Sequence, residues 1–214
     1  MQGITGDFLV AADSALALVG RVEVVQRWEE QSALPGMTVG ALAAHLASQV
    51  FSVHAAVTAG HGVTDEVPVP LLEHYSRVAW VRAGVDDEAN VRIRAGADES
   101  AAGGHDAVTA SLQQAIRDLR TAFGSAQLPP RIRMPGWDWA LSFDDYLVTR
   151  NMEIVVHSDD LAVSVDVDPP TLPDAVLGPV LALLVGVSLQ RHGQAPVVRA
   201  LTRRERAPDT ISAF

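Results

Sequence analysis

Five polar side chains recur along one stretch of this chain at the spacing of a helical face. Within residues 150 to 164, Arg150, Glu153, His157, Asp160 and Ser164 fall within about a quarter-turn of one another at roughly 100° per residue. Ile154, Val155, Val156, Leu161, Val163 and Val165 flank that stripe on both sides. The stripe is therefore expected to face a helical interior, where an ionisable group needs a partner or a metal. Glu153 and His157 stand four residues apart, so both can reach a single ion. A third ligand has to come from another helix, and His45 is the best candidate, because it lies mid-helix in an apolar context. Two imidazoles and a carboxylate suit Zn²⁺, and also Ni²⁺ or Fe²⁺, and leave a coordination position open for water or substrate. The Glu-x-x-x-His spacing taken alone fits a buried ion pair equally well.

The neighbours of this trio have roles of their own to fill. Asp160, one turn beyond His157, is placed either to hold the imidazole in its ligating tautomer or to sit exposed on the helix. Arg150 can orient Glu153, meet an anionic substrate or form a surface salt bridge, and Arg82 is a second candidate anchor for an acidic substrate. His54 is half a turn away from His45 on the same helix and should point elsewhere. His61, His74, His105 and His192 fall in loops or near helix ends, where solvation is expected. Trp137 and Trp139 flank a Pro-Gly loop and suit either a lid or a packed anchor.

The elements that must position these residues read as helices. Apolar periodicity predicts helices over 5–19, 39–59, 71–82, 86–100, 105–124 and 143–165. Thr38 is a good N-cap for the second, with Met37 and Leu42 placed as a hydrophobic staple, and Ser142 with Asp145 resembles a capping box opening the last. Residues 131 to 141 suggest a short hairpin or ordered loop around Pro135-Gly136. Asp168-Pro169-Pro170 is the best linker candidate, followed by helices over 173–192 and 196–206. The expected architecture is all-α: a helical bundle over residues 1–165 with a helical C-terminal extension over 166–214.

Composition narrows the chemistry. The chain has 214 residues, is 48% hydrophobic and carries a formal charge of −10, which argues against a nucleic-acid partner. The cluster Arg203, Arg204 and Arg206 reads as a solvated helix end. There is no cysteine, so thiolate ligands, disulfides and a protein-borne thiol nucleophile are excluded. There is also no lysine, which removes Schiff-base chemistry and the phosphate-binding loop. No secretion signal is evident, and the run from Val176 to Leu189 is interrupted by Gly178, Pro179 and Gly186, so a cytoplasmic protein with no membrane partner is expected.

The stretch Pro35-Gly36-Met37-Thr38-Val39-Gly40-Ala41-Leu42-Ala43-Ala44-His45-Leu46, taken with Arg150-x-x-Glu153-x-x-x-His157-x-x-Asp160-Leu161-Ala162, resembles the mycothiol-dependent maleylpyruvate isomerase N-terminal domain family, within the DinB-like metalloenzymes. The resemblance covers about residues 1 to 165. It implies a four-helix bundle holding a divalent metal, usually zinc, on His45, Glu153 and His157, and a low-molecular-weight thiol as cosubstrate. Many relatives have Gly-Trp where this chain has Ser158-Asp159, and Trp where it has Met37, departures expected to reshape the pocket mouth. Beyond Pro170 the chain is shorter and more helical than the family's usual α/β C-terminal domain.

These readings lead to a metal-dependent thiol transferase or isomerase. A bound metal would lower the pKa of an external thiol, supplying the nucleophile this chain lacks. Two other readings stay open: a metal hydrolase with Asp160 or a nearby carboxylate as base, and a non-catalytic helical binding protein. The partners expected are a small electrophile, a mycothiol-like thiol and, with room for it, a second copy of the chain.

Overall fold

The computed structural model describes residues 3–82, 86–125 and 127–214, without the side chains of Ala79, Arg82 and Ala89. Arg82 as a substrate anchor therefore lies outside the described residues. In chain order the helices are α1 (Ile4–Val19), α2 (Val22–Gln26), α3 (Val39–Ala59), α4 (Leu71–Arg77), α5 (Glu88–Ala101), α6 (Gly104–Ser125), α7 (Phe143–Val165), α8 (Asp174–His192) and α9 (Gln194–Thr202). Two-residue strands β1 (Arg131–Ile132) and β2 (Leu141–Ser142) pair antiparallel just before α7, closing the expected hairpin.

Both expected N-cap hydroxyls are engaged. The Thr38 hydroxyl accepts a hydrogen bond from the Ala41 amide at 3.0 Å, and the Ser142 hydroxyl accepts one from Asp145 at 3.1 Å, so α3 and α7 start at fixed residues. Helix α3 ends at Gly60, whose φ of 69° lies in the left-handed region. Gly40 serves a different need: a Cβ there would sit 2.5 Å from the Trp28 indole, so the glycine lets that ring lie against the first turn of α3.

Helices α1 and α3 each pack against both α6 and α7, which puts the four at the corners of a bundle. Phe8, Leu42, Leu46, Leu112, Ile116, Leu119 and Leu147 are fully buried between them. Each such side chain contributes roughly 1.5–3 kcal/mol of burial. Helix α5 covers α3, and α8 covers α7 and α1. A second, smaller core forms there, where Val180, Leu183 and Val187 of α8 meet Met152 of α7 and Tyr75 of α4.

Some boundaries differ from the sequence expectation. The helix expected over 71–82 stops at Arg77, because Val78 turns to extended backbone and a separate 3-10 turn carries Trp80. The helix expected over 196–206 is α9, ending at Thr202 before the exposed Arg203 and Arg204. Helix α2 was not legible as a helix. Helices α3 and α8 are both long and apolar enough to cross a bilayer by length and composition, so the interrupted apolar run does not exclude α8 on length. In α3 that composition serves the core, where Leu42, Leu46, Val50 and Val53 are buried.

Candidate metal centre

Helix α3 contributes His45 and helix α7 contributes Glu153 and His157, and the adjoining corners of the bundle bring the three together. One ligand atom from each lies within 4.8 Å of the other two. The His45 and His157 rings meet edge to face with centroids 4.7 Å apart. His157 Nε2 sits 3.1 Å from Glu153 Oε2, and His157 Nδ1 sits 3.0 Å from Asp160 Oδ2. Glu153 and His157 are withdrawn from solvent, with side-chain exposures of 14% and 15%.

The electrostatics of the three differ. Burial holds His45 down to about 4, and the neighbouring His157 pushes the same way, so His45 is neutral with a lone pair to offer. Burial alone would lower His157 and raise Glu153. The hydrogen bonds from His157 to Asp160 and Glu153 outweigh it, leaving His157 above and Glu153 below their ordinary ranges. Protonated His157 thus donates one ring N–H to each of two carboxylates, and a cation placed among His45, Glu153 and His157 would replace the one made to Glu153.

The residues fit a divalent ion. A Zn²⁺ about 2.0–2.2 Å from three N and O donors in tetrahedral array sets those donors roughly 3.3–3.6 Å apart. The 3.1 Å between Glu153 and His157 is close to that range. The other separations are all under 4.8 Å. With Nδ1–H donated to Asp160, loss of the Nε2 proton would turn the Nε2 lone pair of His157 toward the cluster, so the carboxylate selects the tautomer a metal would require.

The sequence profile described as the mycothiol maleylpyruvate isomerase N-terminal domain matches residues 8–162 of the chain. The chain belongs to that family. Comparison with curated proteins and with solved structures gives no match. The fold is the all-α, DinB-like four-helix bundle that membership implies, and His45, Glu153 and His157 stand together at one corner of it.

Other residues singled out in the sequence are placed as follows. Arg150 does not hydrogen-bond to Glu153. Its Nη1 donates to Gln49 Oε1 at 2.7 Å, its Nε donates to Thr149 Oγ1 at 3.1 Å, and its guanidinium lies over the Tyr146 ring at 5.5 Å. Gln49 in turn donates to the His45 carbonyl at 3.0 Å, so Arg150 and Gln49 form a strut that ties α7 to α3 beside the ligands. Among the described residues Arg150 makes no ion pair, although its charge helps hold Glu153 ionised. His54 points away from the ligands and meets Asp118 at 3.1 Å.

Several expectations are corrected. Ser158 is buried, with 2% exposure, and neither it nor Asp159 lines the cavity over the ligands, whereas Met37 does. Val163 is 62% exposed and flanks nothing. His74, expected to be solvated, has 2% exposure. The Trp139 indole donates to its Nδ1 at 3.0 Å, and the Trp137 ring centroid is 4.5 Å away. His105 is half-buried against the Val19 carbonyl at 2.9 Å, so it is not simply solvated either. Trp137 and Trp139 stack 5.6 Å apart, and Trp137 also lines the cavity, so it combines the anchor and the wall.

The cavity over the ligands encloses about 1070 Å³. Sequence reasoning missed much of its lining: Trp80, Ile93, Arg94 and the tail residues Ile211 to Phe214. Gln49 and Ser52 carried a signal, since they lie one and two turns from His45 on the same polar face of α3.

Proposed function

We propose that this chain is a divalent-metal-dependent enzyme that uses a low-molecular-weight thiol of the mycothiol type to act on a small electrophile. The observation that carries the reading is the convergence of His45, Glu153 and His157 within 4.8 Å, in a family described by mycothiol-dependent chemistry. Zn²⁺ suits this donor set best, with Ni²⁺ and Fe²⁺ as alternatives. His45 and His157 would hold the ion with Glu153, and a bound ion would supply a lowered thiol pKa near neutrality. The thiol must come from outside, because the chain has no cysteine.

The residues around the ion have defined tasks. Asp160 keeps His157 oriented through Nδ1, and the Arg150–Gln49 strut sets the spacing of α3 and α7. The thiolate then forms a sulfur–carbon bond with the electrophile. In S-transfer a leaving group departs with the bonding pair, or the carbanion formed takes up a proton. In isomerisation the π pair of an activated double bond moves onto the conjugated carbonyl, the resulting single bond rotates, and expulsion of the thiolate restores the double bond. A hydrolase reading needs Asp160 or a nearby carboxylate as base, and Asp160 is already engaged by His157. Such thiols stay reduced in reducing compartments, which favours action in the cytoplasm.

The test is metal analysis of the wild type beside His45→Ala, with turnover of maleylpyruvate and related electrophiles assayed with and without mycothiol. Stoichiometric metal in the wild type, its loss in the variant with helicity retained, and turnover that requires the thiol are expected. Thiol-independent turnover would overturn the reading.

A further inference from the structure

The cavity is larger than the chemistry at its floor requires, and its lining changes character across α7. At about 1070 Å³ it lies at the upper end of the range for small-molecule sites. Toward α3 and α5 it carries the polar Ser48, Gln49, Ser52, Asn90 and Arg94 beside the apolar Met37 and Ile93. Toward α8 and α9 it is apolar, with Leu184, Val185, Val197, Ile211 and Phe214. Ser188 and Ser212 are the polar side chains on that wall, and both hydroxyls are already donated, to the Ile211 carbonyl at 2.7 Å and to the Phe214 carbonyl.

This apolar wall is built, not incidental. Every one of its five residues lies beyond residue 162, where the family match ends. The tail that completes it is pinned at successive residues: His192 Nε2 donates to the Ser212 carbonyl at 2.8 Å, and Arg191 donates to the Ala213 carbonyl at 3.4 Å. The Phe214 ring packs 4.9 Å from Trp80 and 5.9 Å from Tyr75. A polar group placed against this wall would lose its hydration without gaining a partner, whereas a hydrocarbon group would gain burial. Val185 lines the cavity and is 39% exposed.

We infer that the wall made by α8, α9 and residues 211–214 receives the apolar body of the electrophile. The substrate class is an electrophile bearing an alkyl chain or aromatic ring of several carbons, its reactive carbon turned toward His45, Glu153 and His157 and the polar thiol carried on the α3 and α5 side. The assignment of this body to an electrophile rests on the thiol-dependent reading above, but the preference of the wall can be measured without turnover.

The probe is a series of 1-alkanols of increasing length, titrated against the metal-loaded protein by quenching of tryptophan fluorescence, since Trp80 and Trp137 line the cavity. Affinity should rise about fourfold per methylene, the equivalent of about 0.8 kcal/mol, until the wall is filled. Val185→Phe should shorten the longest chain accepted. Phe214→Ala, which removes the ring packed on Trp80 and Tyr75, should weaken only the longer members. His45→Ala should lose metal and keep the gradient, which separates this inference from the metal reading. An affinity independent of chain length, or a gradient that neither Val185→Phe nor Phe214→Ala alters, would overturn it. Metal and mycothiol dependence found together with a flat series would defeat this inference alone.

Discussion

His157 and His74 are both withdrawn from solvent, and their surroundings drive them in opposite directions. His157 lies between Glu153 and Asp160, two carboxylates within 3.1 Å, and its protonated form is favoured in spite of burial. His74 lies among Tyr75, Trp137 and Trp139, and burial, with the charge of Arg150 adding, holds it down to about 4. The first is surrounded by charges that a cation can exchange with. The second is a neutral ring in an aromatic layer, whose Nδ1 accepts from Trp139 and whose task is packing. Burial of a histidine therefore says little about function until its partners are known.

The largest effect that sharpens this contrast is an acid step in stability. His74 ionises near its ordinary 6.5 in the unfolded chain and near about 4 in the folded one. Between those values the unfolded state takes up a proton that the folded state refuses, so stability falls as pH falls from 6.5 to 4. About two and a half pH units correspond to about 3 kcal/mol. Denaturant unfolding of His74→Phe against wild type, run from pH 7 to pH 4, should show the variant losing less stability by about that amount. Parallel losses in both proteins would mean that His74 is not the buried neutral group described.

The contrast also explains what was legible in the sequence. Glu153, His157 and Asp160 share one helix, so the 3.6-residue period alone placed them on one face, and the caps Thr38 and Ser142 fixed where α3 and α7 begin. His45 was reachable because an apolar helix with one polar face must bury that face against something. His74 was not reachable. Its partners Trp137 and Trp139 sit 63 and 65 residues away on a loop, and no period links a loop to a helix end. The same holds for the tail, since nothing in Ile211 to Phe214 announces that it will close a cavity begun by α3 and α7. Arg150 shows the limit within a helix: its spacing suggested Glu153, while its hydrogen bond to α3 goes to Gln49, a choice made by packing between helices.

A smaller effect tests the carboxylate side. Asp160 accepts from His157 Nδ1 at 3.0 Å and is not among the converging trio, so Asp160→Asn should leave metal bound and weaken it. Loss of such an outer partner costs about 10- to 100-fold in affinity, or roughly 1.4–2.7 kcal/mol. A Zn²⁺ competition titration reads this directly. Unchanged affinity would make Asp160 a bystander, and complete loss of metal would make it a ligand.

The smallest effect separates the two causes acting on His74. Trp139→Phe keeps an aromatic ring in the layer and removes the N–H that His74 Nδ1 accepts. One neutral hydrogen bond contributes about 1 kcal/mol, which for a chain of 214 residues lowers the midpoint of thermal unfolding by about 2–4 °C. That loss should be the same at pH 7 and at pH 5, because burial, the first cause of the low His74 pKa, is left in place. The acid step contributed by His74 should therefore survive in Trp139→Phe while it disappears in His74→Phe, the like contribution of buried His45 remaining in both. If the step vanished in both, the indole hydrogen bond and not desolvation would be what keeps His74 neutral, and the aromatic layer would act on the imidazole as a specific partner, much as Glu153 and Asp160 act on His157.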